Sequence, residues 1–135
     1  MLALAALAAG LACATPSVNV TLADPQGLRA GATYAEFLMF DGGCPSQDDL
    51  IAGDYPEPLV DQRLDVEDEF GALGTLDAKR YGFAAVLRTD DCGVLGAGCS
   101  EADLSERIDS VLIPLRDVFP RQGACPGECS EGLCE

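Results

Sequence analysis

The sequence predicts an all-β protein, an antiparallel β-sandwich of about six or seven short strands. Apolar and polar residues alternate in several short runs, and glycine, proline and aspartate mark turns between them at intervals of about 8 to 12 residues. Six cysteines lie beyond residue 13, as in small exported domains held together by disulfides. With 135 residues, the chain has the length of one domain.

The individual strands are predicted from the direction of their side chains. Residues 18–22 alternate between valine or leucine and polar residues, which predicts a half-buried first strand. Residues 33–41 are apolar on both faces and predict a central strand. We assign the sandwich to residues 17–119 and a cysteine-rich tail to residues 120–135. The other predicted strands are residues 59–66, 70–76, 81–88 and 107–115.

Two segments also fit a helix. Residues 104–118 place apolar side chains on one helical face, with Ser100 or Ser105 as the N-cap. Pro114 lies inside this segment, and a proline in a helix interior costs about 3 kcal/mol. It therefore favours a strand, one that proline restricts to an edge of a sheet. Residues 59–70 fit a helix less well, because prolines precede them and valine and aspartate are frequent.

The chain begins with an apolar segment. Residues 1–14 carry no charge, and they are too few to cross about 30 Å of hydrocarbon. They match the apolar region of a signal peptide. The segment Gly10-Leu11-Ala12-Cys13 resembles the lipobox of bacterial lipoproteins, with two departures from the usual residues and no lysine or arginine before it.

This resemblance implies a lipid anchor. Residues 1–12 would be removed as the signal peptide, and Cys13 would be acylated as the mature N-terminus. Residues 13–16 would then form a short tether, and the protein would be attached to the outer membrane or the cell surface. An ordinary cleaved signal, with Cys13 incidental, or a buried N-terminal helix is the alternative.

The charge of the chain excludes several classes of function. Eight Lys and Arg stand against 23 Asp and Glu, a net charge of −15. Such a chain repels nucleic-acid phosphates and anionic surfaces, so we expect no nucleic-acid partner and a membrane contact only through the anchor. Without histidine, the chain alone cannot assemble Ser-His-Asp, Cys-His or histidine-zinc sites. We therefore expect no enzyme; a hydrolase built on two carboxylates is the distant alternative.

The cysteines beyond the lipobox predict three disulfides, whose pairing stays open among fifteen connectivities. Three of these cysteines lie in the body and three in the tail, so complete pairing needs at least one bridge between body and tail. A local bridge closing the glycine-rich segment 93–98 is favoured, which leaves Cys44 to pair with the tail. The last three cysteines could instead bind zinc. The six are Cys44, Cys92, Cys99, Cys125, Cys129 and Cys134, and the favoured local pair is Cys92 with Cys99.

A second resemblance covers the middle and the end of the chain. Residues 76–87, Leu-Asp-Ala-Lys-Arg-Tyr-Gly-Phe-Ala-Ala-Val-Leu, resemble the turn and penultimate strand of immunoglobulin-like and transthyretin-like sandwiches. The resemblance implies an immunoglobulin-like sandwich with Tyr81 as a tyrosine corner; an ordinary strand tyrosine is the alternative. Residues 91–99 and the tail are similar to N-terminal modules of surface lipoproteins of the myxobacterial type. Those modules are mostly of unknown function, so no functional residue is carried over.

The binding surface is predicted at two loops. We expect residues 41–58 and 89–100 to present a surface to a protein or glycan partner. If both loops emerge at one end of the sandwich, they gather five aspartates, and Ca²⁺ is bound by six to eight oxygens. A calcium-dependent adhesion module is therefore the alternative, and no other cofactor is expected. The same aspartates also suit turns and caps. They are Asp41, Asp48, Asp49, Asp90 and Asp91.

Overall fold

The structure, a computed structural model, describes residues 17–66, 71–122, 128–130 and 133–134. The apolar N-terminus and Cys13 lie outside these residues. Strands dominate the described part, with one short α-helix, so the all-β prediction is confirmed. The elements in chain order are β1 Ser17–Ala23, a 3₁₀ helix Leu28–Gly31, β2 Tyr34–Asp41, α1 Gln47–Ala52, β3 Val60–Asp65, β4 Gly71–Thr75, β5 Arg80–Arg88, β6 Val94–Asp103, β7 Ser110–Pro114, β8 Arg116–Gln122, β9 Cys129–Ser130 and β10 Leu133–Cys134.

The strands form two packed sheets and a small hairpin. Five strands in the order β3-β2-β5-β6-β8 make an antiparallel sheet, and three strands in the order β4-β1-β7 make the second sheet. Strands β9 and β10 form the hairpin. The six strands predicted from side-chain alternation correspond to β1 to β5 and β7. One pair differs from the antiparallel expectation, because β1 runs parallel to β7.

The main core lies between the two sheets. Odd-numbered residues of β2 and β5, such as Phe37 and Phe83, face Val20 of β1 and Ile113 of β7. All four side chains are fully buried. Apolar and polar residues alternate in the sequence of β1 because successive side chains of a strand point to opposite faces and one face packs on the core.

A second, smaller core covers the outer face of the five-stranded sheet. There, Leu38 and Val86 pack against Leu50 of α1, with Tyr55 at the border. The second core explains why β2 and β5 are apolar on both faces.

Helix α1 is short but has clear ends. The hydroxyl of Ser46 accepts a hydrogen bond from the backbone N–H of Asp49 at 3.1 Å, and Gly53 ends the helix in the left-handed conformation with φ of 75°. Its buried residue is Leu50. Six residues are too few to show a helical period, so the pattern did not predict this element.

Strands β6 and β8 were also not predicted. The glycine-rich residues 93–98, expected to be a loop, instead lead into and form the first half of β6. Opposite them, the chain passes from one sheet to the other, since β7 pairs with β1 and β8 pairs with β6. Strand β6 and the end of β7 cross so closely that a Cβ on Gly98 would lie 1.9 Å from the carbonyl oxygen of Pro114. Glycine is therefore required by the close approach of two backbones.

The helical alternatives are wrong wherever the structure describes them. Residues 110–114 and 116–122 are strands, and Pro114 ends an edge strand of its sheet, as proline predicts. Residues 60–65 are likewise a strand. Strand β8 continues to residue 122, three residues past the predicted end of the sandwich domain at 119.

Two disulfides are described, and they correct the favoured pairing. Cys44 is bonded to Cys99 with a Cα–Cα distance of 5.9 Å, and Cys92 to Cys129 with 5.8 Å. A Cys92–Cys99 bridge is excluded because Cys99 lies well inside β6, and five residues of strand span about 16 Å. The expected bridge between body and tail is confirmed, but it starts from Cys92. Since Cys129 is in a disulfide, the zinc alternative is wrong; Cys125 lies outside the described residues.

The one α-helix is too short to cross a bilayer, and in the described part of the chain no helix is long and apolar enough to do so.

Candidate functional site

Residues 41–58 lie across the outer face of the five-stranded sheet. Leu50 and Tyr55 anchor this segment in the smaller core, and Gln47 donates a side-chain hydrogen bond to the carbonyl of Ala97 at 3.1 Å. The disulfide from Cys44 ties it to β6. The segment contains five carboxylates and neither lysine nor arginine, and all five residues are exposed. They are Asp41, Asp48, Asp49, Asp54 and Glu57.

A small cleft opens at one end of this segment. Its volume is about 180 Å³, and Phe40, two prolines and Cys44 form its apolar lining. Its acidic groups are Asp41 and Glu57. Gly82 of β5 permits this shape, because a Cβ there would lie 2.6 Å from the backbone of Gly43. The arrangement suits a small group with an apolar stem and a positive charge.

Two ion pairs border the cleft. The Nζ of Lys79 lies 3.0 Å from a carboxylate oxygen of Asp41, and this hydrogen bond raises the pKa of the lysine. Glu101 accepts a hydrogen bond from the backbone N–H of Cys44 at 3.0 Å and pairs with Arg80. These contacts lower the pKa of the Glu101 carboxyl, and the hydrogen bond from the backbone of Cys44 has the largest effect. The Cys44 end of the segment is thus fixed both covalently and by charge.

The turn at residues 89–93 joins β5 to β6 and is held by its own hydrogen bonds. The N–H of Thr89 donates to the carbonyl of Gly93 at 2.9 Å. The Asp91 carboxylate accepts from the Thr89 hydroxyl and from the Gly93 N–H. Cys92 adopts a left-handed conformation, with φ of 62°, and its sulfur bonds Cys129. Asp91 therefore shapes the turn, as the alternative interpretation of the aspartates expected.

The structure does not bring the five predicted calcium ligands together. Asp41 pairs with Tyr81 at one end of the sheet, whereas Arg88, next to the turn 89–93, pairs with Tyr34 at the other. Seven residues of strand separate these ends, or about 23 Å. The expectation of a shared end was wrong because neighbouring antiparallel strands finish at opposite edges. Among the described residues, no group of three or more acidic, histidine or cysteine side chains is placed to hold a metal ion.

A buried ion pair, which the sequence reasoning missed, lies behind the turn. Nε of Arg88 donates to Glu36 at 2.9 Å, and Nη1 donates to the carbonyl of Cys92 at 3.1 Å. Their side chains are 1% and 8% exposed. Burial raises the pKa of the nearby Tyr55 hydroxyl, and the charge of Glu36 raises it further. The available signal was a glutamate interrupting an otherwise apolar strand.

Two carboxyls of β6, those of Glu101 and Asp103, do not have the raised pKa of a general acid. A general acid needs a raised pKa, but the pKa of Glu101 is lowered. The pKa of Asp103 is lowered as well, by hydrogen bonds from the side chain and backbone of Ser105. Both carboxyls are therefore stabilised in the ionised form by contacts within the chain.

Tyr81 lies in the main core with 3% exposure. Its ring centre is 6.1 Å from that of Phe83, and the Lys79 ammonium sits 5.4 Å from the ring centre. These contacts involve the ring and not the hydroxyl, so the tyrosine corner stays a prediction.

No protein-family model, no curated protein and no solved structure matches this chain. The site is therefore interpreted from its own geometry.

Proposed function

We propose that this protein is a non-enzymatic lipoprotein of the cell envelope. In this proposal residues 1–12 are a signal peptide, and Cys13 carries the acyl chains that hold the protein at the outer membrane or cell surface. The observation that carries the proposal is the pair of well-formed disulfides, Cys44–Cys99 and Cys92–Cys129. Disulfides persist in oxidising compartments outside the cytosol, so they support export of the chain.

The proposed role is to bind a protein or glycan partner, or to serve as a structural module. Within the two predicted segments, the accessible parts are the acidic surface of residues 41–58 and, in the turn at 89–93, Asp90 and Asp91; residues 94–100 belong to β6. The excess of carboxylates on residues 41–58 favours a partner with positively charged groups, since complementary charge speeds encounter and excludes wrong partners. The cleft beside Asp41 and Glu57 would receive one such group.

The anchor is tested by the intact mass of protein purified from the membrane fraction, with and without reduction. We expect a mass that begins at Cys13, includes acyl chains and gains two hydrogens per disulfide on reduction. The matched control is Cys13→Ser, expected to lose the acyl mass and leave the membrane fraction. An unacylated protein recovered from the soluble fraction would contradict the proposal.

Binding is tested with envelope preparations from cells that lack the protein. Asp54→Asn with Glu57→Gln removes two exposed charges of the acidic segment. Glu106→Gln with Asp109→Asn removes the same number from another exposed loop. We expect the first pair to lower the bound fraction and its sensitivity to salt, and the second to leave both unchanged. Equal effects of the two variants would show that net charge, and not this surface, is responsible.

A further inference from the structure

The position of β1 determines which end of the sandwich lies next to the proposed anchor. Ser17, the first residue of β1, pairs with Thr75, the last residue of β4. Residues 76–79 then lead directly into β5. The loop before β7 lies at the same end, because the N–H of Asn19 donates to the carbonyl of Asp109 at 3.1 Å. We call residues 76–80 and 103–110 the near end.

The opposite end is formed by the turn at 89–93, which we call the far end. Strand β5 runs from Arg80 at the near end to Arg88 at the far end. Eight residue steps of about 3.3 Å give a length of about 26 Å. Residues of the neighbouring strands agree with this direction, since Asp103 pairs with Arg80 and Val94 pairs with Arg88.

The tether is shorter than the sandwich. From Cys13 to Ser17 there are four residue steps, which span at most about 14 Å when fully extended. If Cys13 is held at the bilayer surface, Ser17 cannot rise to the roughly 26 Å needed to stand the sandwich on its far end. The near end also suits a polar, zwitterionic headgroup layer, because its exposed charges are balanced between three acidic and three basic residues. They are Asp77, Glu106, Asp109, Lys79, Arg80 and Arg107.

We propose that the near end faces the lipid headgroups and that the far end, with the turn 89–93 and the Cys92–Cys129 disulfide, is presented outward. This inference rests on the proposed lipidation of Cys13. In this orientation, the two predicted binding segments differ in how accessible they are to a partner outside the cell. The cleft beside Asp41 lies on the membrane side, because Asp41 pairs with Tyr81 at the near end of β5. A partner that approaches from outside meets the exposed Asp90 and Asp91 of the far end first.

The chain offers a natural reporter for this orientation. Lys79 is its only lysine, lies at the near end and is accessible, with 45% of its side chain exposed. An amine-reactive fluorophore on the acylated protein therefore labels the near end. The matched far-end reporter is Asp90→Lys combined with Lys79→Arg, and Lys79→Arg alone measures labelling of the N-terminal amine. All three are reconstituted in phosphatidylcholine vesicles that carry a quencher in the headgroup region.

We expect the Lys79 label to be quenched several-fold more strongly than the label at position 90. Equal quenching, or stronger quenching at position 90, overturns the orientation. A linker variant then tests the cause. About twenty Gly and Ser residues inserted after Ala14 add a mean reach of about 25 Å, which should remove the difference. A difference that persists in this variant shows that tether length does not set the orientation.

The two proposals fail in different ways. The mass of the reconstituted protein is measured first, and an unacylated chain that does not sediment with vesicles contradicts the lipoprotein proposal itself. An acylated chain that sediments with vesicles but shows equal quenching at both positions contradicts only the orientation.

Discussion

Replacing Gly98 by alanine tests the crossing of β6 with the segment that changes sheets. The added Cβ would lie 1.9 Å from the carbonyl oxygen of Pro114 and 2.8 Å from its carbonyl carbon. Both are backbone atoms and cannot move aside as a side chain can. The next N–H, that of Leu115, donates to the carbonyl of Ala23 at 2.9 Å, while β6 is held between β5 and β8. The clash must therefore be relieved by separating strands.

The size of the effect follows from these distances. Carbon and oxygen atoms in close contact lie about 3.3 Å apart, so the two backbones must separate by about 1.4 Å. Overpacking a well-packed interior typically costs about 1 to 3 kcal/mol and occasionally more. We expect about 3 kcal/mol, since both backbones are hydrogen-bonded in place. For a domain of this size that lowers Tm by about 10 °C.

The assay is thermal and urea unfolding of the oxidised protein, followed by far-UV circular dichroism. The matched control is Gly31→Ala, whose added Cβ meets the flexible end of the Leu95 side chain, at 3.1 Å. We expect this control to stay within about 1 kcal/mol of the wild type. The reasoning is refuted if Gly98→Ala unfolds at the same temperature and urea concentration as Gly31→Ala.

Three further predictions concern charge and covalent links. Glu36→Ala should lower the free energy of unfolding by about 3 to 5 kcal/mol, because it leaves the Arg88 guanidinium buried without its counter-ion; the companion variant Arg88→Met with Glu36→Leu should recover most of this in urea unfolding. Glu101→Gln should flatten the acid side of the curve of Tm against pH. The folded-state pKa of Glu101 is lowered, so its contribution is present above the unfolded-state pKa and is lost as pH falls through the folded one; an unchanged curve contradicts this. Peptide mapping of the oxidised protein should show Cys125 linked to Cys134, the pair that remains when the two described disulfides are subtracted from six cysteines; a free thiol at either position contradicts it.

The strands were predictable where burial alone determined which residues are apolar. Residues 18–22 alternate because β1 packs one face on the core, and residues 34–40 are apolar apart from Glu36 because β2 is covered on both faces. In both cases burial alone decides the residue type, and burial follows the period of two.

Strand β6 was not predictable in the same way, because a second constraint acts on its residues. Gly98 is a glycine since the backbone of Pro114 approaches too closely for a Cβ, and a Cβ on Gly96 would lie 3.2 Å from the carbonyl oxygen of Arg116. In the sequence they have the appearance of a flexible loop. The wrong assignment of a loop also led to the wrong disulfide prediction. A loop would have allowed Cys92 to reach Cys99, whereas the extended strand β6 does not.

The candidate site was predicted in part. The sequence shows that residues 41–58 are rich in carboxylates, and this needs no structure. Whether Asp41 and Asp90 share one end depends on strand direction and order, which a single sequence does not contain. The cleft depends on Gly82, whose missing side chain lets residues 43 and 44 cross over β5. Nothing in the local pattern distinguishes that glycine from one in a turn.

The parallel pairing of β1 with β7 also constrains the order of folding. The first strand of the sandwich receives its β7 partner only when residues 110–114 are available, about ninety residues later in the chain. Contacts between such distant segments form slowly, because a long loop must close before they contribute. Chains are synthesised from the N-terminus, so β1 stays without its β7 partner until synthesis has passed residue 114. The topology therefore delays completion of the three-stranded sheet until residues 110–114 have been made.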